Sequence, residues 1–167
     1  DAILRASDRV VGSFTSPHLL DYNERVRVDG EAVDDVELVS AFRRIEQARG
    51  DVPMTYFEAG TLAALLIFQA REVDVVLLEV GMGGRLDAVN LVDADAAIVT
   101  TVDLDHQEWL GGTRELIGHE KAGIFRAGCP AVFGAADAPA SLLAHARAIG
   151  AGLQLAGVDF RVEDAVG

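Results

Sequence analysis

The stretch Val73–Arg85, VDVVLLEVGMGGR, carries the most fold information in the chain. Its first eight residues are rich in β-branched and aliphatic side chains, with almost no alternation. That is the composition of a strand covered on both faces, as in a parallel sheet. The run then ends in a carboxylate, Glu79, followed by Gly81, Gly83 and Gly84 within a few residues. Ala96–Val102 reads as a second such strand and Pro130–Phe133 as a third. Helical segments lie between them. Buried strands alternating with helices predict an α/β fold with a mostly parallel sheet flanked by helices.

Working outward, Arg9–Phe14 reads as a short strand, and Asp1–Arg5 as the end of a helix. Arg25–Val28 alternates with period two and runs into Asp29-Gly30, a dipeptide suited to a tight turn. A small antiparallel hairpin is therefore expected near residues 25–33. Asp34 and Glu37 have capping spacing ahead of a helix whose stripe is Leu38, Phe42 and Ile45, and Gly50 stops it. Thr55 and Glu58 repeat the spacing. Leu62–Phe68 is apolar nearly all round, which predicts a buried helix. Thr113–Gly123 and Ala138–Ile149 are the remaining expected helices.

Composition narrows the function. The 167 residues include 14 basic and 27 acidic side chains, a formal net charge of −13. A nucleic-acid binder needs clustered Lys and Arg, so that class is excluded, as is a general polyanion binder. One cysteine, Cys129, allows no intrachain disulfide. No apolar run reaches the roughly twenty residues of a membrane span, and no signal peptide is seen. A cytoplasmic protein acting on small molecules, with no membrane partner, is the expectation.

In open α/β sheets ligands bind beyond the carboxyl ends of strands. Ser16 and His18 follow the first strand. Glu79 ends the next, ahead of Arg85, Asp87 and Asn90. Asp103, Asp105 and His106 follow another. If these strands are neighbours, Glu79, Asp105 and His106 converge on one crevice suited to Mg²⁺ bridging phosphates. Glu79 would then face a cation, and the glycines would let backbone N–H groups approach a ligand. A structural alternative stands beside this: Glu79 caps a helix and the glycines make a turn. Lys121 has the ordinary role of a solvated helix lysine paired with Glu115 or Glu120. Thr55 and Glu58 are fully explained by an N-cap.

Five stretches in order, TSPHL with NERVRV, TYFE, VDVVLLEVGMGGRLDAVN, LDH and HEKAGIFRAG, resemble the bifunctional dihydrofolate synthase/folylpolyglutamate synthase family, relatives of the Mur ligases. The resemblance implies a Mur-ligase-like ATP-binding domain and an ATP-dependent ligase. Such an enzyme joins L-glutamate to dihydropteroate or to the folate tail through an acyl phosphate. It implies two Mg²⁺ sites, with Glu79 and Ser16 at the first and His106 at the second. Lys121 matches the family lysine that is carbamylated and becomes an anionic metal ligand. Lys121, His106, Glu79 and Asp105 are thus the expected catalytic residues. Ser16, His18, Thr55, Phe57, Glu58, Arg85, Asp87 and Asn90 are the expected substrate contacts.

Two positions depart from the family pattern: Val89 stands where Thr is common and Thr101 where Asn is common. The family's phosphate-binding loop and its C-terminal domain are not found in this sequence. The expectation is a partial central ATPase domain over residues 1–167, inactive alone, from a monomeric parent. A non-catalytic nucleotide- or pterin-binding module and a Mur-type peptidoglycan ligase are the alternatives. A metal-dependent phosphohydrolase built on Asp103, Asp105 and His106 gives no role to TSPHL, TYFE or EKAGI.

Overall fold

Hydrogen bonding in the computed structural model sorts the strands into two sheets, and the structure describes residues 1–104 and 107–161. Asp1–Gly81 forms one compact unit and the chain from Met82 onward forms another. In the first unit a short helix, α1 (Ala2–Arg5), precedes β1 (Val11–Phe14), β2 (Val26–Val28) and β3 (Glu31–Ala32). Two helices follow, α2 (Asp35–Arg49) and α3 (Tyr56–Ala70), and then β4 (Val75–Leu78). The strand order is β3-β2-β1-β4, with β1 parallel to β4 and antiparallel to β2.

The hairpin forms where the alternation placed it. Asp29 and Gly30 both have positive φ, 52° and 85°, as a tight turn between right-twisted strands requires. Asp34 caps α2 by accepting the Glu37 N–H at 2.8 Å. Its box is not reciprocal, because the Glu37 carboxylate reaches across to Arg71 at 2.7 Å instead. Thr55 and Glu58 make the complete box at the start of α3. From Thr61 to Phe68 no residue of α3 is exposed. This helix packs on α2 and on β1, so burial explains a segment that is apolar on every side.

The second unit contains β5 (Ala97–Val99), α4 (Gln107–Leu110), α5 (Arg114–Ala122), β6 (Pro130–Phe133), α6 (Ala140–Ile149) and β7 (Gly152–Leu155). Its sheet, β5-β6-β7, is wholly parallel. Helices α5 and α6 pack together over a core that includes Ile117, Phe125, Phe133 and Leu142. Gly150, in the left-handed region at φ 72°, ends α6.

The expected α/β arrangement with parallel strands is present, and its strands fall in two ladders: β4 pairs with β1, while β5 pairs with β6. One expectation needs correction: β4 and β5 are not covered on both faces, since Val76 is 42% and Ile98 64% exposed. Each is the edge strand of its sheet, and an edge position leaves aliphatic side chains less covered than a central one. The strand β7 was not anticipated; its four residues, GLQL, are too short for a pattern to stand out.

Gly12 lies in the buried strand β1, where an added Cβ would come within 2.6 Å of the Phe68 ring. Phe68 is itself 2% exposed, held within the core. Gly12→Ala is therefore expected to destabilise the chain by about 1–3 kcal/mol through overpacking. A lowered midpoint in chemical denaturation, with unchanged slope, checks it.

Candidate functional site

The parallel pairing of β1 with β4 brings their carboxyl ends side by side, Phe14 opposite Leu78. The chain continues as Thr15-Ser16 from one strand and Glu79 from the other. The Glu79 N–H donates to the Phe14 carbonyl at 2.9 Å. The Ser16 N–H donates back to Glu79 Oε2 at 2.7 Å. Ser16 and Glu79, 63 positions apart in sequence, are thus joined directly. Glu79 is exposed, and among the described residues its Oε1 has no hydrogen-bond donor.

From Ser16 the chain passes through a cis Ser16–Pro17 bond into a loop closed by a 3₁₀ turn, Tyr22–Arg25. Glu24 organises that loop. Its carboxylate accepts the N–H groups of Leu19, Leu20 and Asp21, each at 2.9 Å. These bonds, from Leu19 first and then Asp21 and Leu20, hold the Glu24 carboxyl down to about 2 from an ordinary 4.5. Arg25 braces the other side. Its Nε donates to His18 Nδ1 at 2.8 Å. Its guanidinium lies 5.7 Å from the Tyr22 ring centroid and 5.5 Å from that of Tyr56. An accepting Nδ1 leaves the neutral His18 ring with its proton on Nε2.

The TYFE stretch divides its roles. Thr55 N–H donates to Glu58 Oε2 at 2.6 Å and Glu58 N–H to Thr55 Oγ1 at 3.2 Å, so both polar side chains are used by the cap. Phe57 turns toward β1 and β4. Its ring centroid is 5.6 Å from that of Phe14, and a Cβ on Gly81 would come within 2.8 Å of it.

In the second unit the remaining residues are tied to one another. Arg85 Nε donates to Glu120 at 2.9 Å. Asp87 caps the 3₁₀ turn Ala88–Leu91 by accepting the Val89 N–H, and also accepts the Met82 N–H. Asn90 donates to the carbonyls of Arg85 and Gly123, while its Oδ1 accepts from Arg126 at 2.9 Å. Arg126 also binds the Asn90 carbonyl and the Asp93 carboxylate. The sequence contained Arg126 within HEKAGIFRAG, but nothing in its spacing pointed to Asn90.

The glycines have a packing role. A Cβ on Gly84 would lie 2.9 Å from the Glu120 carbonyl oxygen and 2.8 Å from Ile124. One on Gly83 would lie 2.8 Å from Leu110. These glycines admit protein against the backbone, at the C-terminal end of α5 in particular. Lys121, half-buried on that helix, makes no side-chain hydrogen bond or ion pair among the described residues. Its expected partners are engaged elsewhere: Glu120 with Arg85, and Glu115 with the N–H groups of Ala140 and Ser141. Asp105 and His106 lie outside the described residues.

A hard divalent cation takes carboxylate oxygens, and Glu79 offers one that is exposed and accepts no hydrogen bond. Among the described residues no group of three or more His, Cys, Asp or Glu side chains is assembled. The described residues therefore fit one edge of a coordination shell.

Residues 38–154 match the family model of the Mur ligase middle domain. The chain belongs to the Mur ligase family. It is 51% identical over 160 residues to the dihydrofolate synthase/folylpolyglutamate synthase of Escherichia coli, covering 96% of this chain and 38% of the relative. It is 39% identical over 139 residues to the folylpolyglutamate synthase of Lacticaseibacillus casei, covering 79% of this chain and 32% of that one. Among solved structures, E. coli FolC in complex with DHPP and ADP superposes at a TM-score of 0.94 and 51% identity. That match covers 97% of this chain and 40% of the other. The bifunctional Yersinia pestis enzyme complexed with AMPPNP and Mn ion gives 0.95 and 50%, covering 99% and 40%. The chain thus spans under half the length of the relatives it matches. Among the described residues no helix is long and apolar enough to cross a membrane.

The loop geometry predicts a pH dependence. The folded carboxyl of Glu24 lies below its ordinary value, so its contribution is complete above about 4.5 and is lost as pH falls toward about 2. Glu24→Gln is expected to weaken the loop at neutral pH. The gap between variant and parent should close through that acid window. Amide exchange of Leu19, Leu20 and Asp21, followed across pH, checks it.

Proposed function

We propose that the intact gene product is an ATP-dependent ligase that adds L-glutamate to dihydropteroate, to the folate glutamate tail, or to both, and that this chain is part of its central ATPase domain. The observation that carries the reading is 51% identity across nearly the whole chain to an enzyme of that name, with the same fold at a TM-score of 0.94.

The chemistry divides into two displacements. An acceptor carboxylate oxygen attacks the γ-phosphorus of ATP, the bond to the β-phosphate oxygen breaks and ADP leaves. The glutamate amine then attacks the acyl carbon, loses its proton as the amide forms, and phosphate departs. A free carboxylate is a poor electrophile, and the phosphoryl group supplies the leaving group it lacks. Little covalent work is asked of the protein beyond positioning and charge neutralisation.

Divalent metal, present as Mn in the Yersinia pestis complex, would supply that neutralisation. Glu79, fixed by the Ser16 N–H, would hold the first ion through its open oxygen. His106 would hold the second. Lys121 would take up CO₂ on its neutral amine, forming an N–C bond with release of a proton, and the anion so formed would serve as an oxygen ligand. What supports the last step is a half-buried lysine without an ion-pair partner among the described residues. His18 in the first unit, and Arg85 and Asp87 in the second, would be acceptor contacts. Thr55 and Glu58 in the first unit, and Asn90 in the second, would act through the caps and ties they make. Phe57 would contribute a flat apolar wall.

Incubation of the intact product with Mg-ATP, L-glutamate and either dihydropteroate or tetrahydrofolate, read by mass spectrometry, tests the reading. A glutamyl gain on at least one acceptor is expected. No gain on either overturns it in favour of a ligase with another acceptor. Glu79→Gln keeps an acceptor for the Ser16 N–H but loses the charge, and is expected to lower kcat by on the order of 100-fold or more. A ¹³C resonance from labelled bicarbonate, absent in Lys121→Arg, is the expected signature of the carbamate.

A further inference from the structure

Arg25 is a half-buried cation with an unusual set of neighbours. One guanidinium nitrogen, Nε, is spent on His18 Nδ1. Two tyrosine rings flank the group. Tyr22 is further fixed by edge contacts with His18 and Tyr56 and by the Phe42 ring. Yet Nη1 and Nη2 have no acceptor among the described residues. The adjacent carboxylate, Glu24, is committed to three backbone N–H groups.

A guanidinium held on three sides, with its forked face unpaired, is pre-organised for a planar anion. Bidentate pairing with a carboxylate satisfies both nitrogens at once. Aromatic flanks hold the plane of the fork fixed at little cost in entropy. The nature of the carboxylate follows from chemistry. The group to be phosphorylated must act as a nucleophile, and a bidentate guanidinium would draw off the electron density it needs. Arg25 therefore suits a carboxylate that does not react.

Resting on the ligase reading above, we infer that Arg25 is a specificity residue that binds a non-reacting carboxylate of the acceptor, with His18, Tyr22 and Tyr56 as its positioning residues. Tetrahydrofolate ends in glutamate and carries such a group beside the one that is activated. Dihydropteroate has only the reacting one.

The test uses the intact gene product and both acceptors. Arg25→Met is expected to raise KM for tetrahydrofolate on the order of 10- to 100-fold. It should leave kcat, and KM for dihydropteroate, within about threefold. Arg25→Lys keeps the charge and loses the fork, so its KM should fall between. Tyr56 is 61% exposed, so Tyr56→Leu spares the fold. It should reduce the same preference by about two- to fivefold.

Equal losses on both acceptors would mean that Arg25 only braces the loop and would overturn the inference, as would an unchanged KM or wild-type activity on dihydropteroate alone. If tetrahydrofolate is the one acceptor used, a fall in kcat with KM unchanged overturns it. A wild-type product that glutamylates neither acceptor overturns the ligase reading itself, whereas an active wild type with parallel losses overturns only the role of Arg25.

Discussion

The hydrogen bond from Ser16 N–H to Glu79 Oε2 depends on one constraint, the parallel pairing of β1 with β4. Parallel strands end on the same side, so the loop after β1 and the carboxylate after β4 must emerge together. An antiparallel pair in the same place would set Glu79 near Val10 and leave Ser16 without it. Parallel pairing also demands a long crossover. The hairpin β2–β3 and the helices α2 and α3 occupy that crossover. The apolar faces of Leu38, Ile45, Ile67 and Phe68 are buried in the same unit as the two strands. Packing of the crossover thus offsets the entropy of closing it.

With that frame in place, the polar residues divide by whether their bonding capacity is used. Thr55 and Glu58 satisfy one another, and Asn90 is bonded through both ends of its amide. Such residues set the shape of loops. Glu79, Arg25 and Lys121 retain charged atoms with no partner among the described residues, and each sits on an element fixed by its neighbours. A charge that folding leaves uncompensated is better spent on a ligand than on stability, since surface ion pairs contribute little. The motif residues are therefore not equivalent, although they stand side by side in the sequence.

Local features were the legible ones. Asp29-Gly30 specifies its turn through the backbone conformations those two residues tolerate, and Thr55 with Glu58 specifies a helix start through bonds three residues long. Strand identity was legible too, because aliphatic β-branched runs leave few options. Strand neighbours were not. Val76 and Ile98 mark their segments as strands, but residue type does not say which sheet a strand joins or whether it lies at an edge. The same limit hid Arg126, whose partners Asn90 and Asp93 lie 36 and 33 positions away. GMGG could be read as a ligand cradle because a glycine reports only that something comes close. For Gly84 the neighbour is the Glu120 carbonyl.

The Thr15–Arg25 loop shows how little apolar burial a rigid surface needs. Leu19 and Leu20 are each 87% exposed and add no core packing; Tyr22 packs on Phe42 and Tyr56. The rest of the order comes from two adjacent charges working in opposite senses. The Glu24 carboxylate gathers three amides that would otherwise point to water, and the Arg25 guanidinium gathers an imidazole and two phenol rings. An anion among N–H groups and a cation among π faces are each the favourable pairing for their charge. Neither depends on the other side of the loop being buried. The loop can therefore remain open to solvent while its backbone is fixed, which is the condition a preformed binding surface must meet.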